Sequence, residues 1–370
     1  MVSYAKWFTP YWVCLIAGVV LGLGQALDEG AGRLSLRFVF NAIALWGVAY
    51  LAFAAAIKRP QLRLYLYGIA IVTASIHTAI VVLDLRSVMP AAYWLSADEY
   101  SFLTSLRQQQ IVRDAFIRVF PSGSILMTLV FVLLFGKLVL SRLPAMQFTA
   151  LTSACSLLIV AITLTLSRSL LAFALLGILV TIVMGWRYVS VTAVGKLAAA
   201  GIVSIGLIAA VDAGGRSLFE RLTERGELLE RDANVYSETT IRGLDNTAAL
   251  TAIADNMVVG LGVPRYTAAY AKRPDAPTDI HPLLVAGLVG GVGAIAAYLI
   301  GILGFMRRAA AEIRVNKSLR RVGTPYVAAL LVSAAMNLPG TGGTLDGPGL
   351  MTTATIVGIL GAGLERPECL

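Results

Sequence analysis

Histidine occurs twice and cysteine three times in this chain of 370 residues, and Asp, Glu, Lys and Arg together make up only 14 % of it. Each shortage removes a class of function. Cys14, Cys155 and Cys369 form no spaced framework, and two of them fall inside apolar runs, which argues against a disulfide scaffold and a thiolate metal site. His77 and His281 lie far apart, with no clustered carboxylates to complete a transition-metal site. No Gly-x-Ser-x-Gly elbow marks a nucleophilic serine. The "GLG" at 260–262 follows no strand and has no lysine-bearing phosphate loop beside it, so it is no nucleotide fingerprint.

Apolar residues are abundant instead. They make up 58 % of the chain, and its mean hydropathy is +0.79, a balance foreign to soluble domains. Spans of about 20 apolar residues, the length that crosses a hydrocarbon core as helix, recur along the chain. Ten are expected, at 9–27, 38–57, 64–83, 124–141, 146–166, 169–186, 195–212, 282–306, 322–338 and 349–364. The first is read as an uncleaved helix rather than a secretory signal, because helices continue to the C-terminus. The expected fold is therefore an all-α polytopic membrane protein, a single integral membrane domain over 1–370.

The net charge of +9 raises the question of nucleic acid, and the distribution of charge answers it. With the N-terminus cytoplasmic, the cytoplasmic pieces hold fifteen basic residues against three acidic ones, Glu312, Glu365 and Glu368. The opposite face holds fifteen basic against eighteen acidic. Such asymmetry is the positive-inside rule, and it puts both termini in the cytoplasm. The basic excess is a topology signal, with contact to anionic membrane lipids as a secondary effect and no nucleic-acid partner.

Two larger segments then face outward, an interfacial one at 84–123 and a cap at 213–281. In the first, Tyr93, Trp94 and Tyr100 interleave with Arg107, Arg113 and Arg118. Interfacial anchoring explains these aromatics, and stacking on sugars is the second reading. In the cap, "RSLFERLTERGELLER" (216–231) carries an apolar side and Glu227 four residues before Arg231, the pattern of an interfacial helix. A second helix is expected over 238–256, broken afterwards by Gly260, Gly262 and Pro264.

Chemistry-bearing residues collect at this outer rim. Arg168 sits in "LTLSRSLLAF", a tight outward turn, where a guanidinium either snorkels to headgroups or clamps phosphate oxygens through its planar fork. Arg242 begins the second cap helix, where a cation opposes the macrodipole. Either Asp245 or Glu238 pairs with it, or it is kept for an anionic ligand. Arg265, Lys272 and Arg273 follow. His281 stands where the polar cap gives way to an apolar run, and Asp279 is placed to orient it. With an unperturbed pKa of about 6.5, an imidazole accepts a proton near neutral pH, although many interfacial histidines only hold structure together. His77, inside the third span, reads as a bundle contact.

Four pieces together resemble the O-antigen ligase and O-antigen polymerase superfamily of bacterial membrane glycosyltransferases. "TLSRS" is similar to that family's first arginine motif, and "SETTIRGLDNTAALTAIADNMVVGLGVPRY" to its serine-to-arginine helix with a Gly-x-Gly loop. "DIHPLLVAGLVGGVGAI" is similar to its histidine motif leading into a glycine-rich helix, and the long outward loop joins them. Pro282 stands where the family often has Asn, no proline precedes the Gly-x-Gly, and Ala286 stands where a carboxylate is common. Asp279 is left as the nearer acid.

The resemblance implies a fold like that of class-C glycosyltransferases and transfer of a polyprenyl-pyrophosphate-linked glycan to a glycan or lipid acceptor at the periplasmic face of the inner membrane. Arg168 and Arg242 would bind the pyrophosphate and offset leaving-group charge. Arg265, Lys272 and Arg273 would add to that cationic rim, and His281 would receive the acceptor's proton. The reaction so implied is metal-independent, inverting and without a cofactor, and other polysaccharide-assembly proteins would be its neighbours. Two other classes stay open: a flippase for the lipid-linked glycan, and a non-catalytic assembly partner.

The topology has a direct test. In a chain stripped of its native cysteines, single cysteines within 216–231 should react with a membrane-impermeant maleimide on intact cells. Those within 307–321 should react only after permeabilisation, and the reverse pattern would invert the orientation.

Overall fold

The computed structural model describes residues 2–28, 47–59, 61–85, 124–165, 168–212, 241–262, 282–315, 317–336 and 347–365. All described secondary structure is helical: α1 (Val2–Asp28), α2 (Gly47–Lys58), α3 (Leu62–Leu85), α4 (Ser124–Leu140), α5 (Ala145–Leu164), α6 (Arg168–Gly185), α7 (Val191–Asp212), α8 (Ile241–Asp255), α9 (Pro282–Val315), α10 (Lys317–Met336) and α11 (Gly347–Glu365). In hydrocarbon a backbone amide has no water to turn to, so chains this apolar fold as helices, which satisfy their own backbone. Five of the described helices are long and apolar enough to cross a membrane: Leu62–Leu83, Ala145–Leu164, Leu170–Tyr188, Val191–Ala210 and Ala286–Val315. Five shorter apolar helices accompany them, among them Thr9–Leu21 and Ser124–Leu140. The architecture is that of an all-helical, multi-pass membrane protein.

The chain divides into two compact units. One comprises Met1–Lys58, Leu229–Val315 and Ser333–Arg366, and the other Arg59–Leu228, Asn316–Val332 and Pro367–Leu370.

In the second unit α4 is the hub. Every residue from Leu126 to Leu140 except Lys137 is buried, as expected of a helix apolar on all sides. Its neighbours approach it through glycines or meet glycines on it. Val132 presses on Gly177 and Leu140 on Gly185, so α4 and α6 run in the same direction. Pro325 of α10 lies over Gly136. Around this hub α3 packs on α5 through Val81, Val160 and Leu164. α7 attaches to α5 by the Ser156 hydroxyl donating to the Ala200 carbonyl at 3.2 Å, and elsewhere it is mostly exposed.

Helix ends in this unit follow local chemistry. Pro144, with no amide proton to waste, precedes the first residue of α5, and its carbonyl accepts from Phe148 N at 2.9 Å. Thr165 closes α5, its amide donating to Ala161 and Ile162 and its hydroxyl to Ile162 at 2.6 Å. After α6 the chain tightens into a 3-10 turn, Trp186–Tyr188.

In the first unit α1 lies antiparallel to α9. Trp7 packs on Gly304, Tyr11 meets Tyr298 edge-on with ring centroids 5.3 Å apart, and Cys14 and Gly18 abut Gly290. α2 and α11 touch where Gly358 lies against Ala49, Ala52 and Phe53.

Two features differ from the reading of the sequence. The eighth span was expected to end near residue 306, yet α9 continues to Val315. Its extension is rich in alanine, Arg308 donates to Glu312 one turn on at 2.6 Å, and Phe305, Ala309 and Ile313 prolong a buried stripe. The basic connection is thus largely helical, with α10 beginning at Lys317. Likewise α1 begins at Val2 rather than near residue 9, with Pro10 inside it. Of the segment expected at 84–123, residues 84 and 85 belong to α3 and 86–123 lie outside the described residues, as does the helix expected at 216–231.

A Cβ at Gly136 would lie 2.5 Å from Pro325 Cγ, and a proline ring has little freedom to withdraw. Gly136→Ala should therefore destabilise the protein by about 1–3 kcal/mol through overpacking, read as a lower thermal midpoint in detergent, whereas Gly201→Ala, in open space, should not.

Candidate functional site

The site is best built from two runs of glycine. α8 ends at Asp255; the Asn256 side chain turns back to the Ala252 carbonyl at 3.0 Å, and Gly260 N reaches the Asn256 carbonyl at 2.9 Å. Gly260 and Gly262 then take φ values of 71° and 68°, which reverse the chain in a conformation side chains oppose. The second run lies in α9, which is interrupted at Gly290 (φ −123°, ψ 16°) and Gly291 (φ 70°, ψ −172°).

The two runs interlock. In an uninterrupted helix Val292 N would donate to the Leu288 carbonyl. Here that bond is opened and both halves are paired with the loop after α8. Leu261 N donates to Leu288 O at 2.6 Å, and Val292 N donates to Met257 O at 2.9 Å. The approach is so close that a Cβ on Gly260 would lie 2.6 Å from Gly291 N, and one on Gly291 would lie 2.6 Å from Met257 O. α1 completes the junction, since Gly18 faces the carbonyls of Val289 and Val259 with no room for a side chain. An apolar cluster of Ala249, Ala252, Ile253 and Leu288, flanked by Leu261 and Leu284, seals α8 onto the first segment of α9.

Arg242 is the second residue of α8, and Arg168 is the first residue of α6, in the other unit. The side chains of both lie outside the described residues, as do Arg265, Lys272, Arg273, Asp279 and His281 entirely. What is joined is the helix that carries Arg242 and the helix that begins one residue after His281. The break in α9 comes nine residues beyond Pro282, roughly 13 Å along the helix axis. His77 is buried within α3, as a bundle contact should be, and neither ring nitrogen has a hydrogen-bond partner among the described residues. No group of three potential metal ligands occurs among the described residues.

Reasoning from the sequence placed Gly260 and Gly262 correctly as a helix break but took "LVGGVGAI" as continuous glycine-rich helix. The Gly290–Gly291 pair was the available signal: adjacent glycines inside an apolar helix mark a bend or a close backbone approach. No family model matches the chain, and no curated protein is similar to it. The resemblance therefore rests on the order and spacing of its motifs.

Gly291 occupies a conformation open only to glycine, so Gly291→Ala should cost about 1–3 kcal/mol in backbone strain before any clash is added. Gly293→Ala, where the nearest atom to the new Cβ is Cys14 Sγ at 4.0 Å, should be neutral. Thermal midpoints of the two purified variants check this; equal values would mean that the junction carries no stability.

Proposed function

We propose that the chain is a glycosyltransferase of a bacterial cytoplasmic membrane, with both termini in the cytoplasm and its reaction at the periplasmic face. It takes a glycan carried on polyprenyl pyrophosphate and transfers it to a hydroxyl of a glycan or lipid acceptor, as a polymerase or a ligase. The observation that supports this reading best is the interlocked junction. It ties the arginine-bearing α8 to the helix that follows His281, the two motif pieces that transfer would need to act together.

In this reading Arg168 and Arg242 grip the pyrophosphate, with Arg265, Lys272 and Arg273 lending further positive charge at the rim. The acceptor oxygen attacks the anomeric carbon from the side opposite the pyrophosphate. His281, oriented by Asp279, takes the acceptor's proton as the new C–O bond forms. The bond to the pyrophosphate oxygen breaks, its charge passes to the arginines, and the anomeric centre inverts. No metal or cofactor enters the scheme. Ten crossings, with the 84–123 segment and the 213–281 cap on the outer side, would give a framework like that of class-C glycosyltransferases.

The break in α9 favours a second reading. Discontinuous helices at membrane depth are a hallmark of transporters, and a flippase for the same lipid-linked glycan would also need one. One experiment separates the two. Purified protein in nanodiscs is given a polyprenyl-pyrophosphate oligosaccharide, with and without a lipid acceptor, and the products are resolved by size. A ladder of lengthening glycans is expected for a polymerase, or a single acceptor-dependent shift for a ligase. His281→Ala should lower either by at least about 100-fold, at the lower end of what general-base catalysis supplies. Equal turnover by both proteins would remove His281 from the chemistry. Absence of transfer, with donor changing leaflet in proteoliposomes, would establish the flippase.

A further inference from the structure

One end of the second unit gathers cations. Between residues 121 and 211 the sequence holds Lys137, Arg142, Arg187 and Lys196 near this end and neither Asp nor Glu anywhere, and between 316 and 332 it holds Lys317, Arg320 and Arg321 without an acid. Contacts within the unit bring several of these together. Leu140 at the end of α4 packs on Gly185 at the end of α6, which sets Arg142 and Arg187 at one level. Lys196 Nζ donates to the Ser141 carbonyl at 2.8 Å and lies 5.7 Å from the centre of the Phe148 ring. The Arg321 guanidinium sits 5.5 Å from the centre of the Tyr188 ring, and that of Arg187 5.6 Å from the centre of Trp186.

Arg187 and Arg321 are exposed and rest on aromatic faces, which hold a guanidinium in place while leaving its N–H groups for an anion. Along α6 and into the 3-10 turn that holds Arg187 runs an exposed apolar stripe. Leu175, Leu179, Val183 and Trp186 recur at helical spacing and are 63 %, 58 %, 60 % and 64 % exposed. An apolar stripe about two to three turns long that ends beside Arg187, with Arg321 on the ring of Tyr188 next in the chain, matches an anionic phospholipid in outline. Acyl chains would lie along the stripe and the phosphate would meet the arginines. A free phosphate would use only the charged end and leave the stripe without a role.

We infer that Arg187 and Arg321, with the stripe of Leu175, Leu179, Val183 and Trp186 on α6 and the turn after it, form a binding site for one anionic phospholipid at the cation-rich end of the second unit. By the positive-inside rule this end faces the cytoplasm, where anionic headgroups are plentiful. The site requires only that the protein be embedded in a bilayer, and it stands whether the chain transfers or transports a glycan.

Trp186 makes the site readable. The full-length protein is reconstituted in vesicles of phosphatidylcholine with brominated phosphatidylglycerol, or with brominated phosphatidylcholine, and the Trp186 signal is taken as the difference between wild type and Trp186→Phe. Phosphatidylglycerol should be preferred at Trp186 by about fivefold or more, the effect of roughly one cation near the surface. That preference should fall as salt is raised. Arg187→Gln with Arg321→Gln should remove it, and Arg187→Lys with Arg321→Lys, which keeps the charge, should retain at least part of it and show that the fold survives change at both positions. Equal quenching by the two lipids in wild type overturns the proposal, as does a preference that survives the glutamine variants. Displacement by inorganic phosphate at matched ionic strength would assign the arginines to a soluble anion and also overturn it.

Discussion

The constraint on which the structure turns is that no backbone donor or acceptor can be left alone in apolar surroundings. An unpaired amide or carbonyl there costs several kcal/mol, so a helix in hydrocarbon can be interrupted only if another segment supplies what the interruption removes. In α9 the interruption opens the bond from Val292 N to Leu288 O, and the loop at 257–261 supplies both halves. The exchange is local, but its conditions reach far. It requires α8 to end where it does, Gly260 to turn with positive φ, and Gly18 of α1 to lack a side chain. Segments separated by more than two hundred residues in the sequence are thereby held to one geometry.

Close approach is the role of several of the chain's glycines. The glycines of the first unit at 18, 260, 290 and 291 allow backbone to lie on backbone, whereas those at 136, 177 and 185 in the second unit allow side chains or a proline ring to settle onto a helix surface. In lipid the hydrophobic effect does not drive helix against helix, so close approach through small residues and recovered hydrogen bonds has to provide the cohesion. α4 shows the same economy by a different route, with apolar side chains all round and neighbours on every side.

Much of the helical framework was legible in the sequence because apolar runs bounded by Pro, Gly and charge leave few alternatives to helix. The ends were less legible for physical reasons. Nothing in composition marks residue 306 as other than the end of a span, since arginines begin at 307; helix persists because alanines and an i,i+4 ion pair favour it outside hydrocarbon as well. The break at Gly290–Gly291 was legible only as a possibility. Glycine permits a bend, but whether one forms depends on a partner loop distant in sequence. For the candidate site, the helices that begin near Arg168 and Arg242 were anticipated, and so was the helix following His281.

The junction also bears on how a membrane enzyme and a membrane transporter differ in their use of a broken helix. In a transporter the freed carbonyls and amides are kept for the cargo, so they face a cavity and change partners during the cycle. In α9 the pair freed by the break is already spent on the loop, which makes the break a fastening rather than a coordination site. A fastening suits a reaction in which an arginine-bearing helix and a neighbouring base must keep one mutual geometry while the lipid-linked substrate comes and goes, because small displacements of reacting groups cost large factors in rate. Parting Leu261 from Leu288 and Met257 from Val292 would leave these groups unpaired, so the bonds that make the break permissible also hold the two segments together.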